Sequence, residues 1–94
     1  MTDGFAGKTA VVTGAAKGIG EAVSRALAAL GANVALFDVD DVSGQAVADS
    51  LDNAVYYSVD ISDRNSVNNA VAAAAEKFGS LDMLVNNAGI APPR

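Results

Sequence analysis

Apolar residues fall along this chain in two rhythms: short unbroken runs, and longer stretches in which they recur every three or four positions. The runs at residues 9–12, 33–37, 54–59 and 81–85 are rich in β-branched or aromatic side chains and predict buried strands. Between the first two, Ile19, Ala22, Val23, Ala26, Leu27 and Leu30 recur at the helical period, and Gly31 is placed to stop the helix in a left-handed conformation. A short second helix is predicted over residues 41–51, with Val42, Ala46, Val47 and Leu51 as its apolar positions and Gly44 weakening its start. For the third, Ser62 or Asp63 is the N-cap, Val67, Ala70, Val71, Ala74, Ala75 and Phe78 mark one face, and Gly79 is the stop. Residues 1–7 form a loose entry from which Phe5 tucks against the domain. Strands alternating with helices imply parallel pairing through right-handed crossovers, an α/β, three-layer, doubly wound sheet of strand order 3-2-1-4. That order places Gly14, Asp38, Asp60 and Asn86 just past strand ends on one edge.

The join between the first strand and first helix, Thr13-Gly14-Ala15-Ala16-Lys17-Gly18-Ile19-Gly20, reads as a phosphate-holding turn. Gly14 lets the chain turn sharply off the strand, where a Cβ would clash. Gly18 lets bare main chain approach a pyrophosphate, whose charge is favoured by free N–H groups and the positive end of the helix dipole. Gly20 lets the helix pack tightly on the strand beneath it. The spacing G-x-x-x-G-x-G differs from the common G-x-G-x-x-G fingerprint, and it is no P-loop, because no Gly-Lys-Ser/Thr follows.

Composition narrows the classes. The chain has 94 residues, enough for one small domain, and a formal charge of -5 with only six basic residues argues against a nucleic-acid or anionic-membrane partner. It has no cysteine and no histidine, which removes disulfides, thiolate or imidazole metal ligands, and imidazole base catalysis from this chain. The N-terminus shows no basic flank or apolar signal segment and no run is long enough to span a membrane, so a cytoplasmic location is expected.

Taken together, the glycine turn and the Asn86-Asn87-Ala88-Gly89 element after the fourth strand resemble the short-chain dehydrogenase/reductase family, over about residues 8–90. The resemblance implies a Rossmann-type domain that binds NAD, of which this is the N-terminal part. Gly14, Lys17, Gly18, Ile19 and Gly20 would belong to the cofactor-binding turn. Asp38, at the end of the second strand, would accept the ribose hydroxyls of the adenosine and select NAD over NADP. A 2′-phosphate about 4 Å from that carboxylate is repelled by roughly 4 kcal/mol per charge at an effective dielectric near 20. Lys17 opposes this, since NADP-preferring relatives place a base before the second glycine. Asp60 and Ile61 match the family's Asp-Val pair beside the adenine, with isoleucine where valine is usual. The asparagine amides would tie the central strands together, and Asn87, Ala88 and Gly89 would lie along the cofactor ribose.

The family's catalytic serine, its Tyr-x-x-x-Lys pair and its helix asparagine have no counterpart here. The tyrosines are Tyr56 and Tyr57, and four residues on stand Asp60 and Ile61. No catalytic residue is therefore assigned. The parent reaction implied by the resemblance is hydride transfer between a nicotinamide cofactor and an alcohol or carbonyl, by a homo-oligomeric enzyme to which the remainder of the chain contributes the chemistry. Two other readings are a stand-alone nucleotide-binding or interaction module, and a methyltransferase using S-adenosylmethionine, against which the glycine spacing speaks.

Overall fold

The computed structural model describes residues 4–87. Its elements run β1 (Thr9–Thr13), α1 (Gly18–Ala29), β2 (Asn33–Asp38), α2 (Asp41–Asp49), β3 (Ala54–Ser58), α3 (Arg64–Phe78) and β4 (Met83–Asn86). The strands form one parallel sheet in the order β3-β2-β1-β4, as the alternation predicts.

Because side chains alternate across a strand, each strand feeds two cores. Val11, Ala35 and Phe37 face α3, where they pack with Val59, Ala70 and Ala74, and Phe37 meets Tyr57 edge to face. Val12, Val34 and Leu36 face the opposite way, toward α1 and α2, and pack with Ala15, Val47 and Ala48. β1 and β2 are thus buried on both sides, which explains their unbroken apolar runs. α3 covers only part of its face. An open apolar cleft of 640 Å³ lies between α3 and β4, lined by Val67, Val71, Leu81 and Leu84 among others, and Leu84 is 68% exposed.

Several details depart from the sequence pattern. In α1 the buried positions are Gly20 and Ser24, with Leu27 and Ala28 packed against the core, whereas Ile19, Ala22 and Ala26 face out. Small residues bring this helix close to the sheet, and the buried Ser24 hydroxyl is satisfied by donating to the Gly20 carbonyl at 2.8 Å. Val42, Ala46 and Val71 are likewise exposed. β4 starts later than its apolar run, because Asp82 turns aside: its carboxylate accepts from the Thr9 amide at 2.9 Å while its own amide donates to the Thr9 carbonyl. Asp63, not Ser62, caps α3, accepting from the amides of Asn65 and Ser66. Gly31 takes positive φ past its helix as predicted, Gly79 ends α3 as predicted and also with positive φ, and the Phe5 amide docks on the Leu30 carbonyl.

Gly44 is the residue of α2 with the lowest intrinsic helix propensity, and packing explains its presence. A Cβ there would lie 2.2 Å from the Tyr56 ring. That ring is itself fixed, since its hydroxyl donates to Asp41 Oδ1 at 2.5 Å and lies 2.8 Å from the Asp38 carbonyl oxygen. Alanine is the better helix former by about 1 kcal/mol. Gly44→Ala is nevertheless expected to lower stability by about 1–3 kcal/mol through overpacking, seen as an earlier midpoint in urea unfolding; a later midpoint would contradict this contact.

Candidate functional site

The carboxyl ends of all four strands open on one edge of the sheet, and those of the described residues that the sequence singles out gather there. The chain leaves β1 through Gly14, whose φ of 63° is left-handed, and enters α1 through Gly18, whose φ is 60°. A Cβ on Gly18 would meet nothing within 4 Å, so open space lies above that main chain. Gly20 is different: a Cβ there would lie 1.9 Å from the Gly14 carbonyl oxygen. The first turn of α1 therefore sits directly on the end of β1. Asn87 braces the same point, its amide donating to that carbonyl at 3.4 Å. One strand over, the Thr13 hydroxyl reaches Asn86 Oδ1 at 3.2 Å.

Helices start with amides that have no partner in the helix. Asp40 caps α2, accepting from the Ser43 amide, and Asp63 caps α3, accepting from those of Asn65 and Ser66. At α1 the N-cap is Lys17, which makes no side-chain capping bond. Its first turn thus presents main-chain donors and the positive end of the dipole to the open space above Gly18, a setting suited to an anion.

Asp38 turns across to this loop. Its Oδ2 accepts from the Ala16 amide at 2.9 Å, and its Oδ1 accepts from the amides of Val39 at 2.7 Å and Asp40 at 3.1 Å. This carboxylate thus fastens the β1–α1 turn to the end of β2. Beside it lies a cavity of 190 Å³ lined by Gly14, Phe37, Asp38, Val39, Val59, Asp60 and Ile61. This smaller cavity, rather than the apolar cleft by β4, adjoins the glycine turn. Asp60 Oδ1 accepts from the Ser62 hydroxyl at 2.6 Å and amide at 2.9 Å, and these bonds hold its carboxyl below the usual range. Ile61 is 41% exposed at the cavity wall and Ile19 is exposed on α1. Ala88 and Gly89 lie outside the described residues.

Lys17 is not a lone cation, because its ammonium pairs with Asp40 Oδ2 at 3.4 Å. Asp40 escaped the sequence reading; its signal was the Asp-x-x-Ser spacing that marks it as the cap of α2.

Chain comparison gives a consistent result. The family model described as short chain dehydrogenase matches residues 8–94. The chain is 48% identical over its full length to a cis-4-hydroxycyclohexanecarboxylate dehydrogenase of Sinomonas cyclohexanicum, covering 39% of that protein. It is 42% identical, over 95% of its length, to an L-fucose dehydrogenase of Oryctolagus cuniculus, covering 31% of it. Among solved structures, a 3-ketoacyl-(acyl-carrier-protein) reductase from Brucella melitensis complexed with NADH superposes with a TM-score of 0.83 at 40% identity, over 85% of this chain and 33% of that one. The chain thus spans well under half the length of these relatives.

Two expectations follow from the geometry. Gly20→Ala should lower stability by about 3 kcal/mol or more, since a carbonyl fixed by Asn87 cannot retreat, whereas Gly18→Ala should cost only about 1–2 kcal/mol of left-handed strain; equal losses in urea unfolding would contradict the Gly14–Gly20 contact. The second concerns pH. Hydrogen bonds hold Asp40, Asp41 and Asp60 below the ordinary aspartate value of 3.8, so their contribution is present above that value and lost as pH falls below it. Burial, with the bond to Asp41, pushes Tyr56 above its ordinary 10.0, so its contribution is present below pH 10.0 and lost above it. The melting temperature should be level from about pH 5 to 9 and fall beyond both limits; with no histidine in the chain, a midpoint near pH 6 would refute the assignment.

Proposed function

This chain belongs to the short-chain dehydrogenase family, and on that premise we propose that it is the N-terminal, dinucleotide-binding part of an oxidoreductase. The parent enzyme moves a hydride between a nicotinamide cofactor and an alcohol or carbonyl group. The observation that carries the proposal is the uncapped start of α1, lying over Gly14 and beside the cavity that Asp38 and Asp60 line.

The residues present fit such a group. The first-turn amides of α1, at Gly18, Ile19 and Gly20, would receive the pyrophosphate, and Gly18 leaves the approach clear. Asp38 would take the adenosine ribose. A carboxylate has about four lone-pair positions, and amides fill three of those on Asp38. One ribose hydroxyl can therefore bond without disturbing the turn, and a second must share or displace an amide. Asp60 and Ile61 would border the adenine, and Asn87, with Ala88 and Gly89, would follow a cofactor ribose. When bound, the cofactor supplies or accepts the hydride. We assign no catalytic residue to this chain; its task is to orient the dinucleotide.

NAD is the cofactor favoured, because an anion on the ribose would meet the Asp38 carboxylate. The same reading makes the parent a cytoplasmic homo-oligomer whose remaining residues complete the sheet and bring substrate selection. A stand-alone module is the weaker reading, since it would leave Leu84 and the cleft beside α3 uncovered.

The test uses the protein expressed from its complete reading frame. Gly18→Val should weaken NADH binding about tenfold or more, equivalent to ~1.4 kcal/mol, with the far-ultraviolet dichroism of the helices retained. Asp38→Ala should narrow the preference for NADH over NADPH. Full NADH affinity in Gly18→Val would refute the close approach at the turn.

A further inference from the structure

Lys17 is the residue whose charge runs against the cofactor preference proposed above. It stands one residue before the helix, in extended conformation with φ -150° and ψ 167°, and its side chain is 73% exposed. An ammonium so placed at the mouth of an anion-binding turn would ordinarily welcome an additional phosphate. In this structure it is engaged elsewhere, by Asp40 Oδ2 at 3.4 Å.

Asp40 is well held for that purpose. Its Oδ1 accepts from the Ser43 amide at 3.1 Å as the cap of α2, and its own amide donates to Asp38 Oδ1 at 3.1 Å. The cap fixes the carboxylate, and its second oxygen faces the β1–α1 turn. The Ser43 bonds and Lys17 hold the Asp40 carboxyl below the usual range, so it is charged at neutral pH. Asp38, Asp40 and Lys17 thus form one linked group spanning the ends of β1 and β2.

We propose that Asp40 is a specificity-determining positioning residue: by pairing with Lys17 across the mouth of the turn, it withholds the ammonium from a phosphate on the adenosine ribose and so keeps the site for the unphosphorylated dinucleotide. This rests on the dinucleotide reading above, and it concerns a residue that reading does not place against the cofactor. Asp38 repels the extra phosphate; Asp40 stops Lys17 from compensating. Exposed ion pairs are weak, so the effect is modest in size.

The substitution that isolates the charge is Asp40→Asn, because asparagine caps a helix about as well as aspartate. In the complete protein, NADH and NADPH dissociation constants are measured by nucleotide fluorescence for the wild type, Asp40→Asn, Lys17→Ala and the double variant, with thermal melts to confirm folding. The ratio of the NADPH to the NADH constant should fall about three- to fivefold in Asp40→Asn. Lys17→Ala should weaken NADPH binding more in the Asp40→Asn background than in the wild type, because only there is the ammonium released. A ratio unmoved by Asp40→Asn overturns the proposal, and so does a Lys17→Ala effect that is the same in both backgrounds. A wild type that already prefers NADPH overturns it too. Each of these leaves dinucleotide binding itself intact; a wild type that binds neither nucleotide removes the proposed function and this inference with it.

Discussion

The contact on which the rest of the site depends is that of Gly20 with the Gly14 carbonyl, where no side-chain atom fits between helix and strand. A helix seated this closely has its axis aimed by the strand end beneath it, so its free amides face a fixed point. Two further bonds keep the geometry from relaxing. Asn87 holds the Gly14 carbonyl from one side, and Asp38 holds the Ala16 amide from the other. β1, β2 and the end of β4 thus converge on a single turn, and the shape of that turn is a property of the sheet as a whole.

The same small-residue logic explains what sequence periodicity could and could not reveal. Strand order and the existence of every helix were legible, because β-branched runs and alternating elements admit few parallel arrangements. The buried stripe of α1 was legible only in part: Gly20 and Leu27 lie against the sheet as expected, but hydrophobicity also picks out Ile19, Ala22 and Ala26, which face out, and passes over the buried Ser24. Size, not apolarity, decides which face lies down when the backbone itself makes the contact. Gly44 reads as a helix weakness for a similar reason: the ring that fills its missing side chain comes from Tyr56, in the following strand, and nothing local announces it.

Of the candidate site, the glycine turn and the aspartates at strand ends were legible from position alone. Their partners were not. That Asp38 would hold the Ala16 amide, or that Lys17 would pair with Asp40, depends on how far apart β1 and β2 lie at their ends, which is a tertiary quantity. Asp40 illustrates the point well. As a sequence feature it is one more acidic residue in Asp38-Val39-Asp40-Asp41; in space it joins a helix cap to the loop of a different unit.

Strand order also bears on how such a sheet is made. The first strand of the sequence lies inside, between β2 and β4, and the last described strand lies at a rim. A chain emerging from the ribosome in this order lays down its centre first and widens from there, so that the newest strand always offers its outer backbone groups to whatever follows. The turn after β1 lies at the centre of that construction, and its two braces arrive in order, Asp38 with β2 and Asn87 only after β4.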